Sequence, residues 1–143
     1  WLYDIIQTAD GGFVAVGGSS FSGQQQDAWV IRLNAQGQRL WERHFGDSKV
    51  RDAAYSITQT SEGGFAVAGN SGDTRSALLI RLDDQGQPLW QRSFGDGKKS
   101  VGAWAIVQTD DGGFAVAGYA PSQRHGNSAN VWFLQLNSMG EPN

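Results

Sequence analysis

The sequence predicts an all-β chain built of three tandem copies of one four-stranded antiparallel unit. Three observations predict it. A block of about fifteen residues recurs three times, the spacing between copies is nearly constant, and no stretch of helical periodicity exceeds about two turns. The 143 residues contain 20 Gly and only 3 Pro, which suits many tight turns between short strands.

The recurring block opens as Tyr3-Asp4-Ile5-Ile6-Gln7-Thr8 and continues as Asp10-Gly11-Gly12-Phe13-Val14-Ala15-Val16-Gly17. It returns at Tyr55 to Thr60 with Glu62 to Gly69, and at Trp104 to Thr109 with Asp111 to Gly118. The Gln-Thr pairs lie 52 and then 49 residues apart. A second block, Val30-Ile31-Arg32-Leu33 with Gly37, Leu40-Trp41 and Phe45-Gly46, matches Leu79-Ile80-Arg81-Leu82 with Gly86, Leu89-Trp90 and Phe94-Gly95.

Each unit reads as four strands. In the middle copy the first covers Ala54 to Thr60, where β-branched and aromatic residues partly alternate. Ser61-Glu62-Gly63-Gly64 makes a hairpin turn, because Gly tolerates the positive φ a tight turn demands. Phe65 to Gly69 is the second strand. Ala77 to Leu82 is the third, an almost continuous apolar run expected of a strand covered on both faces. Asp83-Asp84-Gln85-Gly86 turns the chain into the fourth strand, Pro88 to Phe94.

A fifty-residue meander cannot bury both of its faces alone. At this period the usual solution is radial stacking of like units, so the units are expected to be blades of a β-propeller. The expected blades are residues 1–52, 53–101 and 102–143, within a single propeller segment. The third stops in the turn after its third strand and lacks a fourth. Its Val131 to Leu136 segment, with Trp132 and Phe133, is therefore expected to expose a pairing edge. Three blades fall short of the four to eight that usually close a ring. The chain is accordingly expected to complete its ring with further blades of a longer polypeptide or with copies of itself. It opens on Trp1 without a leader, which fits an excised piece.

Gly37-x-x-x-Trp41 and Gly86-x-x-x-Trp90, placed after a strand ending in Leu-Asn or Leu-Asp, resemble the tryptophan-docking motif of quinoprotein-type propellers. That resemblance implies that the indoles lock neighbouring blades together, with Gly37, Gly86, Trp41 and Trp90 as blade-packing residues. Phe13-Val14-Ala15-Val16-Gly17-Gly18 is similar to the second strand of kelch blades. The whole pattern resembles the Asp-Gly-Gly-Phe-Ala-Val-Ala-Gly repeats found in tandem in bacterial and archaeal extracellular proteins, which implies secretion or display at the cell surface. The Arg at positions 32 and 81 departs from the quinoprotein pattern, which has a small residue there.

Composition narrows the function classes. Net charge is −3 and no Lys/Arg run exceeds two, so the concentrated basic surface needed for nucleic acid or an anionic membrane is missing. No apolar stretch approaches the ~20 residues of a spanning helix. Without cysteine there is neither a disulfide framework nor a thiolate metal site. His44 and His125 are the only histidines and share no ligand spacing. No catalytic residue, cofactor motif or metal site is read from the sequence; Gly95 to Ser100 resembles a phosphate loop but lacks its first Gly and its Ser/Thr.

Asp10, Glu62 and Asp111 read as hairpin-corner residues capping backbone N–H groups, and Arg32 and Arg81 as partners of a carboxylate or carbonyl at the blade margin. One feature bears on function. Phe13 to Arg32, Phe65 to Arg81 and Phe114 to Gln135 span 19, 16 and 21 residues, whereas Gly46 to Gln59 and Gly95 to Gln108 both span 13. Length therefore varies in the loop joining second and third strands. Variable loops on a fixed scaffold are where binding is usually placed. Those loops supply the candidate partner-binding residues Gln24, Gln25, Gln26, Asp27, Asp73, Arg75, Tyr119, Arg124, His125 and Asn127. Tolerated surface insertion is the alternative reading.

The expected function is a non-catalytic interaction or scaffold module binding protein or glycan through these loops. Alternatives are part of a propeller enzyme of quinoprotein-dehydrogenase or lactonase type, with its active residues elsewhere, and a lectin. An enzyme of this type needs acidic, His or metal-binding side chains on the innermost strands, where only Asp4 is ionisable near neutral pH.

Overall fold

A computed structural model describes residues 1–20, 26–46, 50–72, 75–98, 100–121 and 129–143. The described residues form eleven strands and no helix: β1 (Leu2–Gln7), β2 (Phe13–Ser19), β3 (Asp27–Leu33), β4 (Arg39–Phe45), β5 (Ala53–Gln59), β6 (Phe65–Ser71), β7 (Ser76–Leu82), β8 (Pro88–Phe94), β9 (Gly102–Gln108), β10 (Phe114–Pro121) and β11 (Ala129–Leu136). They make antiparallel meanders in the orders β1-β2-β3-β4, β5-β6-β7-β8 and β9-β10-β11. All three sheets agree with the expected units. Strand limits differ slightly: Thr8, Thr60 and Thr109 fall outside the first strands, where their carbonyls open the hairpin turns by accepting N–H bonds from Gly11, Gly63 and Gly112.

The sheets stack face to face. One core lies between the first two, where Val14, Val16, Ala28 and Val30 meet Ile57, Phe65, Val67 and Ile80. A second lies between the next two, where Ala66, Ala68, Ala77 and Leu79 meet Ile106, Phe114, Val116 and Leu136. The first strand of each following sheet lies closest to the sheet before it, β5 against β1 and β2 and β9 against β5 and β6, and contact lessens toward the third strand. The sheets thus fan outward from a shared inner edge. Burial follows from position: every residue of β7, in the middle sheet, is buried, whereas β3 alternates between buried and half-buried because only one of its faces is covered. The expectation that Ala77 to Leu82 is covered on both faces holds for β7.

The edge expected to be open for pairing lies on β11. Pro142 bridges Leu136, and the Asn143 N–H donates to the Gln135 carbonyl, so the end of that edge is paired. Trp132 faces inward and packs on the second core, while Phe133 is exposed. Alternation along a strand puts the two on opposite faces.

The tandem turns set how the sheets meet. In the β3–β4 turn the Asn34 side chain accepts N–H bonds from Gln36 and Gln38, and Gly37 takes φ 77°. Asp83 with Gly86 at 76°, and Asn137 with Gly140 at 75°, repeat the device. The Trp41 ring lies over Gly86 of the next sheet, and its Nε1–H donates to the Asp84 carbonyl at 3.2 Å. Trp90 lies likewise over Gly140 and donates to the Ser138 carbonyl at 3.2 Å. Each indole also meets a buried phenylalanine edge-on, Trp41 with Phe65 and Trp90 with Phe114. Trp41, Gly86 and Trp90 stand at the sheet junctions, whereas a Cβ on Gly37 would meet nothing within 4 Å.

Candidate functional site

The meander order sends the β2–β3 loops and the sheet-to-sheet connections to one end of the stack, and the hairpin turns to the other. At the loop-bearing end the two kinds of segment are tied together. The Asp52 N–H donates to the Gln26 carbonyl at 2.6 Å, and the Val101 N–H to the Arg75 carbonyl at 2.9 Å. Asp52 Oδ1 accepts the Gly72 N–H, and Gln26 Oε1 accepts Arg51 Nε–H at 2.7 Å.

Of the candidate loop residues, Gln24, Gln25, Asp73, Arg124, His125 and Asn127 lie outside the described residues. Gln26 is buried beside Gly18, and Asp27 opens β3 with its carboxylate against Gly46. Arg75 is an exposed turn residue at φ 51°. Tyr119, near the end of β10, joins a feature that loop-length reasoning missed.

That feature is a row of aromatic rings across the inner strands. Tyr3 and Tyr55 have centroids 5.1 Å apart, Tyr55 and Trp104 are stacked at 5.3 Å, and Trp104 meets Tyr119 edge-on at 6.2 Å. A β-bulge builds each member of an inner strand. Leu2 pairs with Gly17 and Asp4 with Val16, leaving Tyr3 without a partner on β2. Tyr55 is skipped in the same way between Ala54 and Ser56, and Trp104 between Ala103 and Ala105. An extra residue in one strand re-aims its side chain. The glycine opposite follows from it: a Cβ on Gly17, Gly69 or Gly118 would stand about 2 Å from the carbonyl oxygen of Trp1, Ala53 or Gly102. The sequence signal was the aromatic heading each Gln-Thr block. Burial pushes the Tyr55 hydroxyl above its usual range, helped by its neighbours Tyr3 and Tyr119.

At the turn end the polar groups serve the fold. Arg32 donates through both Nη atoms: to Asp10 at 2.7 and 2.8 Å, to Thr8 Oγ1, and to the Phe13 and Leu33 carbonyls. The Thr8 hydroxyl first, then Arg32 and the Gly12 N–H, hold the Asp10 carboxyl far below the usual range. Asp111 is lowered by Thr109 and the Gly113 N–H. Asp10 and Asp111 cap the backbone as expected. Glu62, one methylene longer, instead meets Gln108 and, at 3.5 Å, Arg81, which donates to the Gly63, Phe65 and Leu82 carbonyls. The Gln of the second and third Gln-Thr pairs reaches backward between sheets. Gln59 Oε1 accepts the Ala9 N–H at 2.9 Å and Gln108 Oε1 the Ser61 N–H at 2.8 Å.

Two clefts open at this end. One of 480 Å³ lies between Asp10, Arg32, Trp41, Gln59 and Phe65, and a broader one of 660 Å³ runs over Thr58, Gln59, Ser61, Val107 and Gln108. Neither brings a nucleophile to a base, and the Arg32 guanidinium is committed to Asp10. Asp4, the carboxylate of β1, accepts the Ile5 and Ile57 N–H groups and so bridges two sheets. His44 lies against the Trp29 ring. Among the described residues no three His, Asp or Glu side chains converge as metal ligands. No helix there is long and apolar enough to cross a membrane. No known protein-family model matches the chain, and no curated protein matches it.

Proposed function

We propose that the chain is a β-propeller segment serving as a non-catalytic interaction module, displayed outside a prokaryotic cell, that contacts protein or glycan through its loop-bearing end. The fan of three like sheets around an inner edge supports the propeller. The observation that carries the binding assignment is the aromatic row. Half-exposed rings lie at the end that bears the loops whose lengths vary, while the packing devices stay constant. Rings with a polar tip supply apolar contact and hydrogen bonds together, as sugar rings and peptide backbones both require. The commitment of Asp4 to two backbone N–H groups weighs against the propeller-enzyme alternative on the residues this chain supplies.

Glycan and peptide arrays probed with the labelled chain test the assignment. Binding to one array class that falls at least tenfold in Trp104→Ala and Tyr119→Ala is the expected result. Silence on both arrays, or binding unchanged in these variants, overturns it.

A further inference from the structure

We infer that the 480 Å³ cleft between the first two sheets is a binding site of its own, at the turn end of the stack, and that it takes one neutral sugar residue. The inference does not rest on the ligand proposed for the loop-bearing end.

The two sheet junctions are built from equivalent residues and differ at one corner. At the second, the Glu62 carboxylate accepts a bond from Gln108 Nε2 at 3.2 Å, while Gln108 Oε1 holds the Ser61 N–H. That amide is used at both ends. At the first junction the corner residue is Asp10, one methylene shorter, and both of its oxygens are drawn to Arg32 at 2.7 and 2.8 Å. Gln59 spends its Oε1 on the Ala9 N–H at 2.9 Å, and its Nε2 donor has no partner among the described residues. The Gln59 amide and the Asp10 carboxylate line one cleft, walled on its apolar side by Leu40, Trp41 and Phe65. Both sheets that form it have all four strands.

The volume falls within the roughly 300–1,000 Å³ of small-molecule pockets. Of the Asp10 oxygens, Oδ1 already accepts from Thr8, Gly12 and Arg32, whereas Oδ2 accepts from Arg32 alone and has room for another donor. A hydroxyl both gives and takes a hydrogen bond, so the neighbouring hydroxyls of a sugar use Oδ2 and the Gln59 amide together. The apolar wall covers the C–H bonds of the same ring. Charged ligands fit less well. The Arg32 ion pair offsets the Asp10 charge, and a cation would leave the Gln59 donor unpaired. An anion would face the Asp10 carboxylate.

NMR titration of the isotope-labelled chain tests the site, with glucose, galactose and mannose as probes beside their methyl glycosides. Free sugars stand for a free ligand and the glycosides for the end of a glycan. Saturable shifts of the Gln59 side-chain amide with a member of either class are the expected result. Gln59→Glu keeps the acceptor for the Ala9 N–H and removes only the donor, so binding should weaken about tenfold. Asp10→Glu copies the corner of the second junction and should weaken it likewise. Glu62→Asp does the reverse, and should bring the same shifts to the Gln108 amide. Thermal midpoints of each variant report whether the fold is kept. No shift at Gln59 with any probe, shifts unchanged in folded Gln59→Glu, or no gain at Gln108 in Glu62→Asp overturns the inference. Butylguanidinium shifting Gln59 where no sugar does overturns the neutral ligand. Sugar-induced shifts at Trp104 without any at Gln59 also overturn this site, and leave the loop-bearing end standing.

Discussion

The indole of Trp41 rests on Gly86, so close that a Cβ on that glycine would stand 2.9 Å from the ring. Gly86 holds φ 76° in a turn fixed by the Asp83 carboxylate, and the carbonyl of Asp84 in the same turn receives the indole N–H. A single turn thereby provides both the flat floor and the polar anchor for a side chain from the neighbouring sheet. Trp90 and Gly140 repeat it one unit later.

Trp41→Phe keeps an aromatic ring over Gly86 and loses the N–H donor, and should cost about 1 kcal/mol. Trp41→Ala also removes the ring from between the sheets. Because the side chain is only half-buried, the loss should be about 3 kcal/mol, the low end for a large aromatic. Trp90 variants should follow the same order. Urea denaturation gives both numbers.

Gly69→Ala should be among the most damaging small substitutions. Its Cβ would stand 2.0 Å from the Ala53 carbonyl oxygen, backbone against backbone, so the bulge carrying Tyr55 has to open. The expected loss is about 3 kcal/mol. Gly63→Ala, where a Cβ meets nothing within 4 Å, should cost only the ~1–2 kcal/mol of its positive φ at 85°. Equal losses at the two positions would dismiss the bulge as a structural requirement.

Acid should destabilise the fold through the hairpin carboxylates. Asp10, Glu62 and Asp111 all have folded pKa values below their ordinary 3.8 to 4.5. A group depressed in the folded state contributes fully above its unfolded value, and the contribution fades as pH falls through the folded value. Stability should therefore be level above about pH 5 and decline below about pH 4, where the unfolded chain binds more protons. Asp10→Asn should flatten that decline. Thermal midpoints from pH 7 to pH 2 in both proteins check it.

Much of the fold was legible because the repeat compares the chain with itself. Three aligned copies separate what a position requires from what it tolerates, and Gly86, Trp90 and Arg81 stood out on that basis. What pairwise alignment cannot reveal is which unit a side chain serves. Gln59 looks like a strand residue of the second unit, yet it holds the turn of the first. Bulges were hidden for a related reason: Tyr3, Tyr55 and Trp104 occupy ordinary strand positions in the sequence, and only the pairing register exposes them as extra residues. The loop candidates were chosen from length variation alone. Length variation marks where a scaffold is permissive but carries no information on burial, and Gln26 is tucked against Gly18.

A double-mutant cycle at Trp41 and Gly86 tests the stacking of sheets most directly, with Gly37→Ala as reference because Gly37 shares the turn and the φ of 77° but has nothing within 4 Å. If the indole stands on Gly86, Gly86→Ala costs about 1–3 kcal/mol more than Gly37→Ala in the unmodified chain. In a Trp41→Ala background that excess vanishes. An unchanged cost of Gly86→Ala in the two backgrounds would mean that Trp41 does not touch that turn, and that the sheets are not joined as described.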